Sequence, residues 1–338
     1  MKEKLTLFCL LFTLFGCGSA HKIDVSKIRT LSIEYNTQTP LNFGKSFDAT
    51  IIAHMLNGEQ VDVTTNKFLT ISSPNLSVNG NQFQVIGHPI HFDDKHIVST
   101  LTIKGKEETF SCQDTLTLNF LGSLSLNLNG SNGSNGEDQK DRAKRLIGRN
   151  GKDGENGGDG EHGGNSDQYD IYIWKEANET KARLIRVSDS VTYAYKSINS
   201  EEVVINLSGG NGGNGGDGGD GSDGKDGEVK GSVTKGPGNG GNGGNGGNGG
   251  NGGNAGTADI MIHSNASGVL ATLVVTNTPG KAGTPGKAGA PGKAGKPLTG
   301  QTATSDGTAG INGTGGLDGN PATAPTTQVQ TFDFSKFK

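Results

Sequence analysis

The stretch HPIHFDDKHI gathers His88, His91, Asp93, Asp94 and His96, and imidazole nitrogens with carboxylate oxygens are the donors of a zinc-type site. A solvated connection between strands accounts for the same residues, and no metal is assigned to them. A second set, Asp217, Asp220, Asp223 and Asp226, recurs every third residue, and carboxylates are what a calcium site uses. On a helix of three residues per turn successive members lie about 9 Å apart, too far to share one ion, so further ligands would have to come from a neighbouring segment. The row reads as a charged face. Lys281, Lys287, Lys293 and Lys296 can lie against it, each exposed pair contributing about 0 to 1 kcal/mol. Gly44-Lys45-Ser46 has the end of a phosphate loop, but the position five before Gly44 is Thr39, where the motif needs glycine. Matches to G-x-G-x-x-G recur throughout the glycine tracts, and none opens a helix after a strand. No nucleophile, base and orienting group stand at a recognisable spacing. The chain is therefore not expected to be an enzyme, and no catalytic, metal-binding or cofactor-binding residue is assigned.

The chain opens with MKEKLTLFCLLFTLFGCGSA, a short charged start, an apolar run from Leu5 to Phe15 and then small residues, which is the pattern of an export signal. The run is too short to span a bilayer comfortably. Its end, Leu14-Phe15-Gly16-Cys17, resembles the lipobox of bacterial lipoproteins, with Phe15 the one atypical position. The resemblance implies a signal peptide over residues 1–16 and lipidation of Cys17, with a linker to residue 27. An ordinary signal peptide cut after Ala20 is the alternative, since Gly18-Ser19-Ala20 also has small residues at the right offsets. Gly18, rather than aspartate, after the cysteine resembles the sorting pattern of Gram-negative outer-membrane lipoproteins. With Cys9 removed and Cys17 lipidated, Cys112 is the one thiol left, so no intrachain disulfide is expected. Cys112 is in phase with Phe110, Leu116, Leu118 and Phe120 and reads as a small buried hydrophobe without a reactive role.

The elements that carry these residues follow two grammars. With 338 residues, 58 of them glycine, and 30% apolar content, a single large oily core is not expected. A net charge of -4 without a basic block removes the electrostatic basis for binding nucleic acid. Over residues 28–122 the pattern has period two, as in Leu31, Ile33 and Tyr35 or Phe47, Ala49 and Ile51, which predicts strands. Asn57-Gly58 and Asn79-Gly80 predict two-residue hairpin turns. The stretch ISSPNLSVNGNQFQVIG resembles the middle of bacterial immunoglobulin-like domains, which implies an Ig-like β sandwich over residues 28–122.

Beyond residue 123 glycine falls at every third position in six stretches, about 130–138, 148–165, 209–228, 236–256, 280–297 and 307–321. A period of three is that of polyproline II, whose backbone groups need neighbours, and a row of glycines lets another such helix approach closely enough to bond. The expectation is a polyglycine II bundle. A flexible linker is the alternative, but a tether has no use for a glycine phase that survives while the other positions vary. Stretches with one glycine row, such as GRNGKDGEN, should lie at the edge, and those from Gly209 and Gly238, with two rows, should have more neighbours. Their third row, Asn211 to Asp220 and Asn239 to Asn254, should face solvent or cap a groove. Between the stretches SLSLNLN, YDIYIW, ARLIRV, VTYAYK, EEVVINL, ADIMIH, VLATLVVT and TQVQTFDF read as strands, whereas VKGSVTK and the polar residues after Pro297 read as turns. Antiparallel helices would then put every strand at one end and every turn at the other.

That arrangement is similar to the glycine-rich extracellular region of anaplastic-lymphoma-kinase-type receptors, which implies a second β sandwich over residues 123–338 with an inserted glycine bundle. The expected fold is all-β plus polyglycine II. Gly280 to Pro297 also reads as Gly-X-Y triplets with Pro285, Pro291 and Pro297 at Y, so a collagen-like trimer is the rival and the oligomeric state stays open. The expected role is a lipid-anchored structural protein of the bacterial cell envelope, in the outer membrane and exposed at the surface. It would act as a stiff spacer or adhesin, with a surface glycan or protein as partner. Ice binding and a periplasm-facing place in an envelope assembly are the alternatives.

Overall fold

The structure, a computed structural model, describes residues 23–86, 91–143 and 149–337. Cys17 with the rest of the leader, and His88, lie outside the described residues. Among the described residues the chain is all-β, with helix confined to short 3-10 turns at Val25–Lys27, Ser264–Ala271 and Phe334–Phe337. It divides into two compact units. The first holds the described residues up to Thr39 with Ser46–Gln84 and His96–Thr117; the second holds Pro40–Lys45, Val85–Lys95 and the chain from Leu118 onward.

The first unit is made of antiparallel sheets. One has the order β1 (Ile28–Tyr35), β2 (Ser46–Met55), β6 (Gln82–Val85), β5 (Leu76–Asn79), with β3 (Gln60–Asp62) also on β2; the other is β4 (Leu69–Ser72), β7 (His96–Lys104), β8 (Thr109–Thr117). The alternation in the sequence is the alternation in burial: Leu31 and Ile33 of β1 and Phe47, Ala49, Ile51 and Ala53 of β2 point inward. Gly58 and Gly80 take positive φ, +88 and +64, at the two Asn-Gly turns, a region that glycine enters without a Cβ penalty. Cys112 differs from its expectation. It is half-buried, and its Sγ takes the Leu31 N–H at 3.3 Å while the thiol donates to the Leu31 carbonyl at 3.5 Å.

The second unit contains two sheets with parallel cores. One runs β12 (Thr192–Ile198), β11 (Glu179–Arg186), β10 (Gln168–Glu176), β16 (Thr257–His263), β18 (Thr326–Gln330); the other runs β17 (Leu273–Thr276), β13 (Val203–Asn206), β9 (Leu124–Asn127). Their inward rows, Ile171 and Ile173, Ile260 and Ile262, Leu124 and Leu126, Val203 and Ile205, are fully buried or nearly so. Each such side chain contributes about 1.5 to 3 kcal/mol by leaving water.

Between the strands run six glycine-rich segments without sheet or helix assignment, which we number I (129–142), II (149–166), III (208–227), IV (238–256), V (278–296) and VI (305–320). They bond sideways at every third residue. Segments I, III and V form one parallel layer: Gly136 donates to the Asn214 carbonyl at 2.8 Å and Gly215 to that of Thr284 at 2.9 Å. Segments II, IV and VI form the other, where Gly157 donates to Asn245 at 2.8 Å and Gly246 to Ile311 at 2.9 Å. Across the layers the bonds are antiparallel, as in Gly213 to Glu161, Gly250 to Gly213 and Gly283 to Gly250, each 2.8 Å. Segments III and IV thus have four neighbours each, and their two glycine rows are what allows it. A methyl group on Gly213 would overlap the Ser134 carbonyl, and one on Gly212 the Gly250 carbonyl. Segment II lies at the end of its layer, as its single main glycine row implies, but it packs on more than one side. It has neighbours I, III and IV, because Gly158 and Gly164 supply a partial second row whose N–H groups reach Glu137 and Ser131 of segment I.

The strands set the register of the layers. Asn206 of β13 pairs with Asn127 of β9, and the same offset of 79 residues continues into segments III and I; offsets of 70 (β17 to segment V) and 89 (β16 to segment IV) persist likewise. Between segments IV and VI the offset is 66, and between β16 and β18 it is 67, the slip falling in the stretch after Asn320. Two expected elements differ. VKGSVTK is a short hairpin, β14 (Glu228–Lys230) with β15 (Val233–Lys235), turned at Gly231 with φ +63. VLATLVVT begins as the 3-10 turn, with only Leu273–Thr276 as strand.

Candidate functional site

The third rows of segments III and IV, expected to face solvent or cap a groove, cap the neighbouring segment, and the matching rows of segments I and II do the same. In the first layer Asn132 Oδ1 accepts the Asn211 N–H at 2.8 Å, and Asn211 Oδ1 accepts the Lys281 N–H at 2.9 Å. In the second, Asp159 Oδ1 accepts the Asn248 N–H at 2.6 Å and Asn248 Oδ1 that of Thr314 at 2.9 Å. Each rung repeats every three residues. His162 fills one place with Nδ1, which takes the Asn251 N–H at 2.8 Å and must therefore carry the lone pair there. At this phase segment V carries Lys, Thr and Ala, and segment VI carries Ser, Thr, Ile and Leu before ending on Asn320. The ladder stops where no further segment follows in the layer.

The outer flank of segment V is closed by another device. Ala282, Ala288 and Ala294 donate to Oδ1 of Asp318, Asn312 and Asp306 at 2.7, 2.8 and 2.6 Å. Pro285 and Pro291 fall between them and have no N–H to satisfy. Gly315 stands opposite Pro285, where a Cβ would lie 3.7 Å from the proline Cδ. The Gly-X-Pro triplets thus serve contacts within one chain.

Where the sheet β9–β13–β17 passes into segments I, III and V, the first layer bears an open polar groove of about 600 Å³, lined by Asn129, Asn132, Ser208, Asn211, Thr278 and Lys281 among others. Oδ1 of Asn129, Asn132 and Asn211 is taken by the N–H groups of Ser208, Asn211 and Lys281. The amide orientation is fixed by those donors, so each asparagine keeps Nδ2, with two N–H groups, as its free end. Ser208 and Thr278 share a hydroxyl bond of 3.0 Å, and no carboxylate lines the groove.

The residues singled out in the sequence do not converge. The His91 N–H caps the Asp94 carboxylate at 3.2 Å, Asp93 lies 3.7 Å from Lys196 Nζ, and His96 Nδ1 meets Thr117 Oγ1 at 3.3 Å. Among the described residues no three potential metal ligands gather. Asp217 and Asp223 accept the backbone N–H groups of Lys287 and Lys293 at 2.7 and 2.8 Å, so the two rows meet through main chain and no ion pair joins them among the described residues. Gly44 is a turn residue with φ +74, and the Lys45 ammonium bonds the Ser123 hydroxyl. Sequence patterns alone do not reveal the acceptor role of the asparagine and aspartate rows; its signal is their presence at one phase in the first four stretches and their near-absence from the last two, where Asn320 alone remains. Against family models, curated proteins and solved structures alike, the chain finds no match.

Proposed function

We propose that the chain is a lipid-anchored protein of the bacterial cell envelope in which a β base holds a polyglycine II bundle, used at the cell surface as a stiff spacer and adhesive face. The observation that carries this reading is the lateral bonding of all six segments, since N–H groups fixed at every third residue suit a rod with flat polar sides and do not suit a slack tether. The Ig-like reading of the first unit belongs to the same proposal and rests on its short antiparallel strands and Asn-Gly hairpins.

The test is attachment of cells that display the full chain or a Gly247→Val variant, in which the added side chain overlaps the Gly158 carbonyl. Surface level is matched by protease shaving of intact cells, and lipidation is read by acyl labelling of Cys17→Ser. Equal attachment by both chains removes the adhesive role, and protection from the protease removes surface exposure.

Ice binding is the second reading. Thr308 and Thr314 stand at even spacing on a flat face, with Ile311 and Leu317, 74% and 73% exposed, between and beyond them. Thermal hysteresis of the purified chain decides it.

A further inference from the structure

The ladder needs only a side-chain acceptor at each rung, and both Asn and Asp supply one in Oδ1. Asn214 donates to Asn135 Oδ1 at 2.9 Å and Asp217 to Asp138 Oδ1 at 2.8 Å, so rung geometry does not choose between amide and acid. Yet segments I and III change from one to the other at the same level. The rungs Asn132/Asn211 and Asn135/Asn214, next to the sheet, are amides; the rungs Asp138/Asp217 and Asp141/Asp220 beyond them are acids. The division falls at one level in both segments. What it produces is a carboxylate-free zone at the groove.

We infer that this groove binds an acidic saccharide, with the carboxylate on the Lys281 ammonium and hydroxyl oxygens on the amide N–H groups of Asn129, Asn132 and Asn211. Lys281 is exposed and joins no ion pair among the described residues, and the three Nδ2 groups are aimed by bonds that the bundle itself requires. Such a surface offers donors held in place before binding, so it suits an acceptor-rich ligand and the charge-assisted bond is its strongest. A volume of about 600 Å³ spread over three segments exceeds what one inorganic anion fills, and the open groove leaves room for an extended ligand. The aspartate rungs beyond the groove repel an anion and set where the ligand must lie. The inference rests on the adhesive reading for its biological use but not for its chemistry.

Calorimetry of the full soluble chain with tetragalacturonate, with its carboxyl-reduced neutral counterpart and with vesicles containing phosphatidylglycerol tests it. The acidic probe should bind, with the neutral one at least tenfold weaker. Asn132→Asp keeps the rung acceptor but replaces a donor by a charge, so it should weaken the acidic probe at least tenfold while the denaturation midpoint stays put. Lys281→Gln should weaken it likewise, and Asp217→Asn, on an acid rung, should not. No binding of tetragalacturonate, equal binding of the neutral probe, preference for the vesicles, or an Asn132→Asp chain that binds as before would each overturn the inference. If these variants fail in the probe assay while Gly247→Val still abolishes cell attachment, the groove is wrong and the adhesive reading survives. If attachment is indifferent to Gly247→Val while the probe binds as expected, the reverse holds.

Discussion

The backbone N–H of Ala288 donates to Oδ1 of Asn312 at 2.8 Å, and one triplet along, where Pro285 has no N–H to offer, the facing residue is Gly315, with no side chain to receive one. Donor and acceptor are thus matched along the flank of segment V. Replacing Pro285 by alanine should create an unmet N–H at the flank and free the unfolded chain, lowering stability by about 0.4 to 1 kcal/mol. Adding Gly315→Asn to that variant should rebuild a rung and return about 0.5 to 1.5 kcal/mol. Denaturant midpoints of the parent, the single and the double variant check it. A double variant no more stable than the single would show that the pairing is incidental.

Glycine is needed in this bundle where backbones touch, and Gly236, just before segment IV, gives the contrast. A methyl group on Gly247 overlaps the Gly158 carbonyl, whereas one on Gly236 meets nothing within 4 Å, and Gly236 does not take positive φ. Gly247→Ala should cost at least the 1 to 3 kcal/mol roughly typical of overpacking, because the clashing atom is main chain and cannot swing aside. Gly236→Ala should be neutral or stabilise by about 0.4 to 1 kcal/mol through the unfolded chain. Equal midpoints for the two variants would contradict the layer packing.

The pH dependence on the alkaline side should come from buried phenols at the base of the bundle. Burial pushes the Tyr169 hydroxyl up to about 12, with Asp167 nearby adding to the effect, and burial raises Tyr195 as well. In the unfolded chain both lose their protons near pH 10. Between those values the folded state holds more protons than the unfolded one, so stability falls as pH rises through the window. Tyr169→Phe removes one of the groups, and its denaturant midpoint should fall less steeply from about pH 10 to about 12. Parallel profiles for parent and variant would refute the assignment.

Much of this architecture is legible in the sequence because the period of three and the count of glycine rows are direct records of how closely backbones approach. The two rows from Gly209 and Gly238 point to the segments with four neighbours, and the strands fall between the stretches as their period-two patterns require. The layer order was not read, although it is written in which stretches carry Asn or Asp at the third phase. Such residues look like solvent-facing polarity, because their acceptor is used by a main chain 66 to 89 residues away, a partner that no local pattern reveals. The groove is hidden for the same reason. An asparagine shows which end is free only once the donor on its other end is known. His162 could not be told from a surface histidine, since only the rung geometry assigns its Nδ1.

Asn-Gly steps are ordinarily the least durable in a protein, because the glycine nitrogen attacks the asparagine Cγ, expels ammonia and forms a succinimide that opens to aspartate or isoaspartate. Isoaspartate adds a backbone methylene and would break the three-residue phase. At Asn242-Gly243 both reacting groups are held: the Gly243 N–H donates to the Thr308 carbonyl at 2.8 Å, and Asn242 Oδ1 accepts the Thr308 N–H at 2.8 Å and its hydroxyl at 3.0 Å. The folded chain should therefore keep Asn242, Asn245 and Asn248 as amides under mildly alkaline incubation that converts them readily in a denatured sample. Thr308→Pro suits an extended backbone, removes both bonds to Asn242 and leaves the carbonyl for Gly243. It should speed conversion at Asn242 while Asn248, two rungs away, stays protected in the same molecule. Peptide mass spectrometry reads both sites at once; equal conversion at the two, or equal rates in folded and denatured chains, would mean that the ladder does not guard its own asparagines.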